Sequence, residues 1–146
     1  MRHQSMLSAA ILGAALIVGA TACGQKKITE CNQLIEVINK GVESLNKTPK
    51  GGADPTGAAE LKGMADSMDK VAADAAKVDL SIPELKKYST EYQTMAKDVA
   101  KAARDMAAAA DAKDLAKINS AQAALDKAVK QEDPLVDSIN KFCQAP

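Results

Sequence analysis

The sequence predicts an all-α protein, an antiparallel up-down-up-down four-helix bundle that follows a cleaved signal peptide. Three observations carry this expectation. Alanine, lysine, aspartate and leucine dominate, while aromatic residues make up only 2% and tryptophan is absent, which suits helices rather than strands. Apolar residues recur at steps of three and four along four segments, the signature of one buried face on a helix of period 3.6. Prolines and glycines gather between those segments, where they interrupt helix.

The N-terminal element differs from the rest. Arg2 and His3 form a short basic start, and Leu7 to Val18 follows without a charge. The run ends in small residues, Gly19, Ala20, Thr21 and Ala22, which suit peptidase cleavage. It is shorter than the ~20 apolar residues of a spanning helix, so residues 1–22 read as a signal peptide. Ala20-Thr21-Ala22-Cys23 resembles the lipobox of bacterial lipoproteins, with Ala20 where that box usually has leucine. The resemblance covers residues 1–23 alone. It implies diacylglycerol on the Cys23 sulfur, cleavage before Cys23 and acylation of the new amino group. It also implies a membrane partner held through the lipid. Gly24 is not the aspartate that retains such proteins at the inner membrane, so an outer-membrane anchor facing the periplasm is expected. Residues 23–28 then form a lipid-anchored linker, in which Lys26 and Lys27 either meet anionic headgroups or solubilise the chain.

The bundle is expected over residues 29–146. Its first helix spans about 29–47, with Cys31, Leu34, Ile38, Val42 and Leu45 on one stripe. Thr29 is its expected N-cap, and Glu30 sits in the first turn, where the helix dipole favours an acid. The stretch TPKGGADPTG, with two prolines and three glycines, reads as a loop. The second helix spans about 57–78 on Leu61, Met64, Met68, Val71, Ala75 and Val78. Its other face alternates in sign through Lys62, Asp66, Lys70 and Asp74, a solvated surface with pairs of ~0.2–0.5 kcal/mol each. The third helix spans about 83–110 on Leu85, Tyr88, Tyr92, Met95, Val99, Ala102, Met106 and Ala109. Ser81 and Glu84 have capping-box spacing before it, and Pro83 suits a first turn. A very short turn at Asp111 to Asp114 returns the chain into the fourth helix, about 113–143. That helix carries Leu115, Ile118, Leu125, Val129, Val136, Ile139 and Cys143, with a kink or short break expected at Pro134.

In such a bundle Cys31 and Cys143 lie at the same end. If Cys23 is acylated they are the remaining two of three cysteines, and export meets an oxidising compartment, so a Cys31–Cys143 disulfide is expected. The closed loop exceeds a hundred residues, for which loop entropy gives about 4–5 kcal/mol. Tyr88, Tyr92 and Phe142 fall toward that end, with Glu132 near the level of Tyr92. They read as core filling or as a candidate small-ligand cluster.

Much chemistry is missing. His3 is the single histidine, and it lies in the signal. That removes the usual general base, histidine-ligated haem and the Glu-x-x-His ligands of di-iron bundles. No CxxC and no glycine-rich phosphate loop occurs. No catalytic residue, cofactor or metal is expected. Basic and acidic residues balance at 19 each, with no basic stripe, which disfavours nucleic acid as a partner. The expected function is a membrane-tethered envelope lipoprotein with a binding or structural role and, in that role, a protein partner in the envelope. The alternatives are a periplasmic small-molecule or lipid binder that uses the bundle interior, and an inhibitor or immunity-type protein for an envelope enzyme. Oligomeric state is not encoded in any of these features.

Overall fold

The computed structural model describes residues 21–47 and 57–145. The apolar run Leu7 to Val18 and most of the loop after Lys47 lie outside the described residues. The fold is all-helical. In chain order the helices are α1 (Thr21–Lys47), α2 (Ala58–Ala76), α3 (Pro83–Asp111), α4 (Leu115–Val129) and α5 (Glu132–Gln144). Among the described residues there is no strand.

Among the described residues α1 is already helical from Thr21, eight residues before the expected start, and it absorbs the expected linker, so Cys23 lies within a helix. Between Cys23 and Ile28 only Gly24 weakens helix and no proline stops it. Thr29 is therefore not an N-cap; its hydroxyl donates to the Gln25 carbonyl one turn back, at 2.9 Å. α2 is preceded by its N-cap Gly57, whose φ of 69° is left-handed and easy for glycine. α2 ends two residues early, where Lys77 and Val78 close tighter turns onto Asp74 and Ala75.

α3 matches its expected span to within a residue, with Pro83 in the first turn. The expected capping box is absent. The N-cap is Ile82, which has no side-chain oxygen to offer, and Ser81 is bonded elsewhere. At the other end, Lys113 takes a left-handed φ of 54°. Its N–H donates to the Ala110 carbonyl and that of Asp114 to the Ala109 carbonyl, the paired bonds of a Schellman turn. Asp114 then caps α4 by accepting from the Lys117 N–H at 3.1 Å.

The expected fourth helix is two helices. The break falls at Lys130 and Gln131, before Pro134. Pro134 is the third residue of α5, where a missing N–H costs nothing because first-turn N–H groups have no intrahelical partner.

The core joins Cys31, Leu34 and Ile38 of α1, Met68 and Val71 of α2, Leu85, Tyr92, Met95 and Val99 of α3, and Ile139 of α5. α2 and α3 form the most extensive pair. Their facing alanines, among them Ala65, Ala72, Ala75, Ala96, Ala100 and Ala103, are buried, and such small side chains let backbones approach closely. Arg104 reaches Asp66 at 2.7 Å and Asp69 at 2.6 Å, and Lys62 reaches Asp111 at 2.9 Å. The alternating face of α2 is thus partly spent across helices, while Lys70–Asp74 keeps the expected spacing of four. These exposed pairs contribute little stability.

α4 departs most from expectation. Its buried residues are Ala121 and Ala128, while Leu115 is 74% and Val129 47% exposed. Its apolar stripe has no helix to cover it fully, because α1 makes no contact with α4 among the described residues.

One close approach sets the α1–α2 spacing. A Cβ on Gly41 would stand 2.7 and 2.9 Å from the two γ-carbons of Val71. In an exposed helix, alanine would be ~1 kcal/mol better than glycine. Here Gly41→Ala is expected to destabilise instead, by about 1–3 kcal/mol, the usual cost of overpacking. Denaturant unfolding of Gly41→Ala, Val71→Ala and the double variant tests this. The double variant should be more stable than the sum of the single losses implies; simple additivity would remove the steric explanation.

Candidate functional site

The end of the fold where α1 and α5 meet concentrates the unusual chemistry. Cys31 of α1 and Cys143 of α5 form a disulfide, with sulfurs 2.10 Å and Cα atoms 5.8 Å apart across a sequence separation of 112. Cys31 is buried and Cys143 half-buried.

Beside Cys31 lies Glu30, a carboxylate only 5% exposed. It accepts from the Ser81 N–H at 2.9 Å, the Ile82 N–H at 3.0 Å and the Ser81 hydroxyl. Ser81 and Ile82 immediately precede α3, so an acid of α1 caps a helix that begins fifty residues later. The negative charge also sits at the positive end of the α3 dipole. Burial acts against the charged carboxylate, but the Ser81 hydroxyl, the two N–H groups and the Lys26 charge outweigh it. They hold the Glu30 carboxyl below its ordinary range. Sequence reasoning places Glu30 at its own helix start. Its actual partners are non-local, and the only local signal is an acid immediately before the stripe residue Cys31.

Lys27 is also committed. Its ammonium donates to the Ala145 carbonyl at 2.6 Å and lies 4.7 Å from the centre of the Phe142 ring. Phe142 in turn meets Tyr88 edge to face, with centroids 6.0 Å apart. Lys27 thus fastens the C-terminus to α1. Lys26 stays exposed.

Of the candidate cluster, Tyr88 and Phe142 are brought together, and Tyr92 is buried at 2% exposure. Burial, reinforced by the Glu132 charge, pushes the Tyr92 phenol up to about 12. Burial and then the neighbouring Asp133 raise Glu132. Among the described residues no hydrogen bond joins Tyr92 to Glu132. Tyr92 belongs to the buried core, and Tyr88 and Phe142 pack against it from the side. A groove of about 530 Å³ opens between α3 and the α4–α5 break, lined by Thr90, Thr94, Met95, Pro134, Leu135 and Ser138, with others. The three hydroxyls donate to carbonyls of their own helices, at Lys86, Thr90 and Pro134. Toward the groove they can therefore only accept.

Among the described residues no group of three or more histidine, cysteine or acidic side chains is placed to hold a metal ion. No helix among them is long and apolar enough to cross a membrane. No protein-family model matches the chain, and no curated protein or solved structure shows significant similarity to it.

Proposed function

We propose that the chain is a membrane-tethered envelope lipoprotein with a binding or structural role and no catalytic site. Its helices would be arranged up-down-up-down, as the pairs Ser89–Ala75, Arg104–Asp66 and Lys62–Asp111 support. The observation that carries the reading is the division of the cysteines. Cys31 and Cys143 are paired with each other, which suits an oxidising compartment. Cys23, the third, follows a signal-like apolar run and small residues. That position suits acylation, and two or more chains hold a protein firmly to a bilayer where one does not. The outer membrane, facing the periplasm, is the proposed location.

Cells grown with an alkynyl fatty acid are expected to label the wild-type chain and to leave Cys23→Ala unlabelled. Equal labelling of both would defeat the reading.

A second reading, a small-molecule or lipid binder, is supported by the groove at the α4–α5 break rather than by the bundle interior. Its floor is apolar and its hydroxyls offer acceptors, so a fitting ligand has an apolar body and hydrogen-bond donors. Native mass spectrometry of protein drawn gently from the envelope would show such a molecule retained by the wild type. Leu135→Trp, which fills the groove, should lose it.

A further inference from the structure

α1 buries one stripe fully in the core and leaves a second series partly open. Cys31, Leu34 and Ile38 are buried in the core. Beside them runs a second series, Ile28, Asn32, Ile35, Asn39 and Val42, at alternating steps of four and three. Ile28 is 58% and Val42 41% exposed. Asn32 and Asn39 are exposed between them, and Ile35 is half-buried, with its inner edge packed against the core. Among the described residues α4 makes no contact with α1 that would cover the exposed part of this flank.

The alternation is that of a heptad seam with asparagine at a and a β-branched residue at d. We propose that α1 pairs in parallel with α1 of a second copy along this seam. In a parallel pair a faces a and d faces d. Isoleucine and valine then meet their own kind, and each asparagine amide, both donor and acceptor, meets another amide. An antiparallel pair would set asparagine against isoleucine and leave the amides unpaired. The seam is thus complementary to itself under a two-fold axis, as an isologous interface must be. Asparagine at a costs stability while specifying register, so the pair is weak in dilute solution. The proposal rests on the lipoprotein reading at one point: anchors near the start of α1 on one membrane hold every copy in the same direction and raise the effective concentration. Glu36, at the edge of the seam, is paired with Lys40 and adds little repulsion.

The test uses the full chain in cells, as two co-expressed copies with different tags. A photocrosslinking amino acid is placed at Val42, at Asn39 or, as a control on another face, at Gln33. Positions 42 and 39 are expected to give an adduct carrying both tags, linked to α1 of the other copy, and position 33 about tenfold less. Adding Asn39→Lys to the Val42 probe sets like charges opposite each other and should cut the adduct by about tenfold or more. Position 39 is exposed, so thermal unfolding should show that variant still folded. Adducts that map to α4, whose Leu115 and Val129 are also exposed, would overturn the seam. So would adducts to other proteins alone, or an adduct unaffected by Asn39→Lys. The fatty-acid label reads the anchor separately. A labelled chain without self-adducts sinks the seam and leaves the anchor standing; self-adducts from an unlabelled chain do the reverse.

Discussion

Replacing Glu30 with alanine is expected to lower the free energy of unfolding by about 2–4 kcal/mol. Three donors lose one charged acceptor, and hydrogen bonds to charged groups are each worth ~1.5–3 kcal/mol, part of which water restores because Ser81 is exposed. The loss also uncaps α3, an effect of ~1 kcal/mol in ordinary caps. Urea unfolding of Glu30→Ala, Ser81→Ala and the double variant should show strong coupling between the two positions. The pH dependence supplies a second reading. The folded carboxyl lies below its ordinary 4.5, so the unfolded chain takes up the proton first as pH falls. The stabilisation is complete at neutral pH, declines below about 4.5 and is gone once the folded carboxyl is protonated. Glu30→Gln should lack this acid-dependent component, and its deficit relative to wild type should shrink as pH falls from 5 toward 3, the carboxyl range. A constant deficit across that range would show that the carboxylate charge is not what caps α3.

Removal of the disulfide is expected to have the larger effect. With Cys31 and Cys143 separated by 112 residues, loop entropy gives about 4–5 kcal/mol. For a domain of this size that corresponds to a fall in Tm of roughly 15–20 °C. Cys31→Ala, Cys143→Ala and the double variant should fall by similar amounts, since either single change opens the same loop. Calorimetry of the three variants checks this. A loss below about 1 kcal/mol would mean that the reduced, unfolded chain already keeps these two ends together.

What the sequence discloses, and what it withholds, follows from the range of each interaction. α3 is read almost residue for residue, because Pro83, the unbroken three-four alternation and the short turn after Asp111 are all local signals. The seam positions Cys31 and Cys143 are local too, and topology alone brings them to one end. The start of α1 is misplaced because a processing boundary at Cys23 is a chemical signal and sets no limit on helix. The break in the last helical span is noticed through Pro134, yet it falls before that residue, since proline is tolerated in a first turn. Glu30 escapes because its partners, Ser81 and Ile82, are far along the chain. Leu115 and Val129 mislead for a related reason. Periodicity specifies which face of a helix is apolar, but not whether a neighbour is positioned to cover it.

The disulfide has a mechanical consequence as well. It joins residue 31 to residue 143 and closes the chain between them. Tension applied from before residue 31 to beyond residue 143 would run along the start of α1, cross the sulfur–sulfur bond and leave past Cys143. The helices enclosed by the bond would carry almost none of it. Pulling by the ends could straighten the first turns of α1 and tear Lys27 from Phe142 and Ala145, but it could not draw α2, α3 or α4 out of the bundle while the bond holds. With the bond reduced, the same pull would load every helix contact in series, from Glu30 and Ser81 onward. In force spectroscopy the oxidised chain should therefore show a short extension with no unfolding event, and the reduced chain the full contour of the bundle.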